Sequence, residues 1–119
     1  MNKYHNFINE ADALFADQDY NRARNAYSEA LGILPEKEYP KSRISMIDDL
    51  LNRQQRIHDR YELTIQKADA YFLKGMYWLA RKAYEDALEI KPDETHPEKR
   101  MIMTNGILQS EYQKKMYGF

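Results

Sequence analysis

Residues 20–35 read YNRARNAYSEALGILP, and residues 77–92 read YWLARKAYEDALEIKP. In each stretch alanine and tyrosine recur three or four positions apart, as Ala23, Ala26, Tyr27 and Ala30 and as Ala80, Ala83, Tyr84 and Ala87. That spacing marks one face of a helix. Small residues on it let a second backbone approach, while the tyrosine fills the space beside them. The closing prolines, Pro35 and Pro92, end the helix, because the residue before a proline avoids the α region.

The similarity extends outward from this helix. An offset of 57 residues lays residues 4–51 on residues 61–108 without a gap, with 19 identities over 48 positions. This is an internal duplication, and a fixed period predicts stacked supersecondary units. Upstream of the Ala/Tyr helix, Phe7, Ile8, Ala11, Leu14 and Phe15 form the stripe of a first helix. Asp17-Gln18-Asp19 separates first from second helix in one copy, and Lys74-Gly75-Met76 does so in the other. Downstream, Pro40 and Pro97 suit the first turn of a third helix, with Ile44, Ile47, Leu50 and Leu51 as its apolar face. Neither Pro nor Gly occurs from Lys41 to Lys74, so the third helix could run on into the next unit. The polar stretch 52–60, interrupted only by Ile57, is read as a break. The expected fold is all-α: one domain, residues 1–119, of two three-helix units (about 3–57 and about 60–116) and six helices in all.

The first two helices of each unit resemble a tetratricopeptide repeat (TPR). The resemblance rests on Ala11, Leu14, Tyr20, Ala23, Tyr27, Ala30 and Pro35, and on Ala68, Tyr71, Gly75, Tyr77, Ala80, Tyr84, Ala87 and Pro92. The third helix, entered at Tyr39-Pro40 or His96-Pro97, departs from the tandem pattern. Longer units of this kind are similar to repeats in TPR-bearing envelope proteins of Bacteroidetes-type bacteria. The resemblance implies a right-handed stack whose first helices line a concave surface for peptides or protein partners. On the matching positions that surface carries His5, Ile8, Asp12, Phe15 and Ala16, then Glu62, Ile65, Asp69, Phe72 and Leu73. Chaperone-binding members clamp a C-terminal carboxylate there with Lys, Asn and Arg. Here Ile8, Asp12, Ile65 and Asp69 stand in those places, and the two aspartates would repel such a ligand. The resemblance also implies a periplasmic or envelope location if the chain is part of a larger protein; taken as full length it reads as cytoplasmic.

Asp12 and Asp69 recur together with Arg24/Arg81 and Arg43/Arg100. The expected explanation is a structural Asp–Arg ion pair in each unit, and the alternative is an acidic strip for a basic peptide. Other chemistry is sparse. Two ligands, His58 and Glu62, do not make a zinc site, and the neighbours Asp48-Asp49 and Glu85-Asp86 point different ways on a helix. No phosphate loop or nucleophile triad occurs, so no catalytic residue, metal or cofactor is expected. Arg53, Arg56 and Arg60 form a stripe flanked by Asp48, Asp49 and Asp59, which suits a solvated face.

Composition sets bounds by exclusion. The 119 residues are 43% apolar and 31% charged, without cysteine, and 18 basic against 19 acidic side chains leave no field that would gather nucleic acid. No apolar run approaches the ~18 residues of a membrane span. The sharpest clue lies where the two copies differ. At the turn between first and second helices one unit has Ala16, Asp19, Asn21 and Arg22, and the other has Leu73, Met76, Trp78 and Leu79. Such a change predicts a contact surface, covered by a partner chain or by the terminal residues Tyr112, Met116, Tyr117 and Phe119; the alternative is an enlarged local core between the second hairpin and its neighbours. The expected function is a non-enzymatic protein-interaction scaffold. Its candidate partner-binding residues are Ile8, Asp12, Phe15, Ile65, Asp69, Phe72, Leu73, Met76, Trp78 and Leu79. A homo-oligomeric assembly unit is the second reading.

Overall fold

A computed structural model describes residues 2–118, and Phe119, named above as part of a terminal cap, lies outside the described residues. The described residues form five helices: α1 (Lys3–Ala16), α2 (Tyr20–Ile33), α3 (Glu38–Leu73), α4 (Tyr77–Ile90) and α5 (Thr95–Tyr117). The fold is all-α. Two compact units divide inside α3, Met1–Gln55 and Arg56–Phe119.

The expected break at residues 52–60 is absent. The third helix of the first unit continues as the first helix of the second, so five helices replace the six expected. Polarity alone does not stop a helix; that takes Pro, Gly or a competing cap. Arg53, Gln54, Gln55 and Arg56 are good helix formers, and every residue from 52 to 60 is exposed, so the segment needs no apolar face.

In the first unit Asn2 caps α1, its Oδ1 accepting from His5 N at 3.3 Å, and Asp19 caps α2, its Oδ1 accepting from Arg22 N at 3.4 Å. Gln18 turns the chain between α1 and α2 with φ 62°, and Gly75 does so between α3 and α4 with φ 75°. Pro40 and Pro97 lie in the first turns of α3 and α5, where a missing N–H leaves no bond unmade, and both are buried.

The core of the first unit gathers Tyr4, Ile8, Ala11, Ala23, Ala26, Tyr27, Ala30 and Ile47. That of the second gathers Ala68, Ala80, Ala83 and Tyr84, with Ile65, Tyr71, Phe72 and Met101 packed against it. Ala23, Ala30, Ala80 and Ala87 have no exposed surface, as close helix approach requires. Tyr27 and Tyr84 are also fully buried, each contributing about 1.5 to 3 kcal/mol of apolar burial. The duplication is imperfect inside: Thr104 is buried at the position equivalent to Ile47, its hydroxyl donating to the Arg100 carbonyl at 2.6 Å.

Candidate functional site

The recurring aspartates do not pair with arginine. Tyr27, buried on α2, donates its hydroxyl to Asp12 Oδ1, and Tyr84 on α4 does the same to Asp69 Oδ1. A second donor comes from the following helix in each unit. Tyr39 Oη donates to Asp12 Oδ1 at 2.7 Å, and His96 Nε2 lies 3.0 Å from Asp69 Oδ1. The expectation of an Asp–Arg ion pair is thus corrected to an Asp–Tyr bond. The arginines go elsewhere: Arg24 grips Asp48 with two bonds of 2.7 and 3.2 Å, while Arg81 reaches Glu85 at 3.3 Å. Position 105, equivalent to Asp48, is asparagine, so the first unit's pair has no counterpart.

Electrostatics follow the geometry. Burial, followed by the hydrogen bond to the carboxylate, pushes the Tyr27 and Tyr84 hydroxyls well above the ordinary tyrosine range. Partial burial pushes the Asp69 carboxyl up. The bonds from Tyr84 and His96, together with the charges of His96 and Arg100, outweigh that and leave it below its ordinary value. Arg43 donates from Nε to Tyr39 Oη at 3.1 Å and lays its guanidinium 4.8 Å from the Phe15 ring centre. Arg100 stands 4.6 Å from the Phe72 ring in the same way.

This geometry rearranges the expected first-helix surface. Ile8, at 9% exposure, belongs to the core, and Ile65 is half-buried and packs against the second core. Phe15 and Phe72 are half-buried under the arginines, and Asp12 and Asp69 are half-buried, Asp12 with Oδ1 engaged and Asp69 with both oxygens engaged, since His96 Nε2 also lies 3.3 Å from its Oδ2. The turn between α3 and α4 is open instead: Leu73 is 83% exposed, Trp78 68%, Leu79 46% and Met76 44%. Met76, Trp78 and Leu79 line a hollow of about 250 Å³ with Leu108 and Glu111 of α5. With α5 in place Trp78 remains exposed, and Tyr112 and Met116 are exposed as well, so the described terminal residues do not cap this surface.

Each unit also has an open helix-pair face, a feature sequence reasoning missed. Phe7, Glu10 and Leu14 of α1 face Arg22, Ala26 and Glu29 of α2 around a hollow of about 290 Å³. Thr64, Lys67 and Tyr71 of α3 face Leu79, Ala83 and Asp86 of α4 around one of about 150 Å³. Position by position these are equivalent under the 57-residue offset, as are Asn25 and Lys82, which join the two linings. The offset could have found this pairing, but not which side of each hairpin is open.

Among the described residues no three His, Asp or Glu side chains converge as a metal site requires, and no helix is long and apolar enough to cross a membrane. Comparison with protein-family models, with curated proteins and with solved structures returns no match to this chain.

Proposed function

We propose that the chain is a non-enzymatic interaction module of the TPR type, binding a protein or peptide partner through the apolar turn of the second unit. The observation that carries this reading is Met76. It occupies the N-cap position of α4 and makes no side-chain cap bond, whereas its equivalent Asp19 caps α2. Losing such a cap costs about 1 kcal/mol. Exposing Met76 beside Leu73, Trp78 and Leu79 leaves further apolar surface in water. Both changes disfavour the isolated fold, and both are accounted for if the surface meets an apolar partner.

Met76→Asp is the direct test. It should raise stability by about 1 kcal/mol in a urea melt through the restored cap, while a partner captured from the native host and then purified should bind the variant more weakly than the unaltered chain. Trp78→Ala should weaken the same binding without the gain in stability. Equal binding by all three proteins, or no partner for any of them, would remove the basis of the proposal.

A further inference from the structure

The two equivalent helix-pair faces have opposite charge. Around the first hollow stand two carboxylates, Glu10 and Glu29, and one guanidinium, Arg22. Around the second stand two ammonium groups, Lys67 and Lys82, and one carboxylate, Asp86, which pairs with Lys82 at 2.9 Å and leaves Lys67 as the unbalanced positive charge. The positions are the same, so the difference lies in side-chain chemistry alone: Glu10 is replaced by Lys67, Asn25 by Lys82 and Arg22 by Leu79. The faces also differ in relief. The first has the larger hollow, bounded by the half-buried Phe7 and Leu14 and the small Ala26. The second offers Leu79 and the ring of Tyr71, and Leu79 also lines the hollow beside Trp78, which makes this face continuous with the apolar turn.

We infer that the occupant of the basic face is the acidic face of a second copy of this chain, with Glu10 meeting Lys67 and Leu79 entering the hollow between Phe7 and Leu14. The inference rests on reading the chain as an interaction module and names its partner. Like faces would bring Glu10 and Glu29 against themselves, or the unpaired Lys67 against itself, so charge selects the unlike pair. Among the described residues neither Glu10 nor Lys67 is held in an ion pair, and both are exposed, so both are available. An unlike contact leaves one free face of each kind on the pair. Association therefore either closes at two copies or continues.

Charge reversal tests this on the full chain. Mass by sedimentation, from about 1 to about 500 µM, should rise with concentration for the unaltered chain and rise less at high salt. Glu10→Lys and Lys67→Glu, both at exposed helix positions and checked for folding by circular dichroism, should each weaken association about tenfold. An equimolar mixture of the two should associate more strongly than either alone, because the first hollow of one variant, now basic, then meets the second hollow of the other, now acidic. The doubly reversed chain should recover for the same reason. A strict monomer throughout the range, reversals without effect, or a mixture no better than its components would each overturn the inference. If the chain stays monomeric yet binds a host partner that Trp78→Ala loses, this inference fails and the interaction-module reading stands; if it neither associates nor binds, both fail.

Discussion

The Tyr84 hydroxyl on α4 donates to the carboxylate of Asp69, fifteen residues earlier on α3, and the second donor to that carboxylate is His96 on α5. One carboxylate thereby ties together all three helices of its unit. Asp12 ties α1 to α2 and α3 through Tyr27 and Tyr39. Tyr84→Phe removes the donor and leaves the ring, so it isolates the bond from the packing. A hydrogen bond to a charged group that is partly solvated supports a loss of about 1 to 2 kcal/mol, read from urea melts. Arg100→Ala, which uncovers Phe72, should cost less, about 0.5 to 1 kcal/mol. Equal melts for Tyr84→Phe and the parent would show that the bond contributes nothing net.

The same bond sets a pH dependence. Because the folded Asp69 carboxyl is held below its ordinary value of 3.8, the unfolded chain takes up the proton first as acid is added. The contribution is complete above 3.8 and is lost as pH falls through the folded value, so Asp69→Asn should flatten the acid limb of the stability profile. At the other end the Tyr27 and Tyr84 hydroxyls are raised, so their contribution is complete below 10.0 and is lost as pH rises beyond it. Tyrosinate absorbance should show two of the ten tyrosines ionising only with unfolding. Ten tyrosines titrating together in the folded chain would contradict this.

Gln18 and Gly75 adopt the same left-handed turn, which an L side chain resists. Gln18→Gly should therefore stabilise the chain and Gly75→Ala destabilise it, each by about 1 kcal/mol in thermal or urea melts. Opposite signs at two equivalent positions are the diagnostic outcome.

The continuity of α3 predicts that Gln54→Gly costs about 1 kcal/mol of stability and lowers helical circular dichroism, as an interior glycine does. A loop at residues 52–60 would accept glycine without loss. The two outcomes separate a wound segment from a broken one.

The helical hairpins are legible because their signals are local: Ala23, Tyr27 and Ala30 at helical spacing, Gly75 at the turn, and Pro35 and Pro92 at the ends. The course of residues 52–60 is not. Polarity says that a segment lies in water but not what its backbone does there. The Asp–Tyr bond escapes for a different reason. Tyr27 and Tyr84 already have a role as packing residues, and a phenol that packs with its ring and bonds with its oxygen looks no different in sequence. The offset does hold a clue, since Tyr39 and His96 are equivalent and both can donate to Asp12 or Asp69. At the apolar turn, Leu73, Met76, Trp78 and Leu79 stand out because the duplicated copy supplies its own polar reference in Ala16, Asp19, Asn21 and Arg22. Family resemblance, by contrast, puts Ile8 on the surface, whereas its spacing from Phe7 and Ala11 already sets it on the apolar stripe.

That α3 serves as the last helix of one unit and the first of the next bears on how the chain folds. A helix starts from an unfavourable nucleus, in which several residues are fixed for a single hydrogen bond, and then grows one bond at a time. Two separate helices in place of α3 would each need that start; one continuous helix needs it once. When the first unit has wound residues 38–55, growth into residues 56–73 is propagation rather than initiation. The first helix of the second unit can thus form from a template before α4 arrives to cover it. The same holds in reverse if the second unit winds first, so the ladder of backbone bonds through residues 52–60 lets whichever unit forms first supply the start for the other's share of the helix.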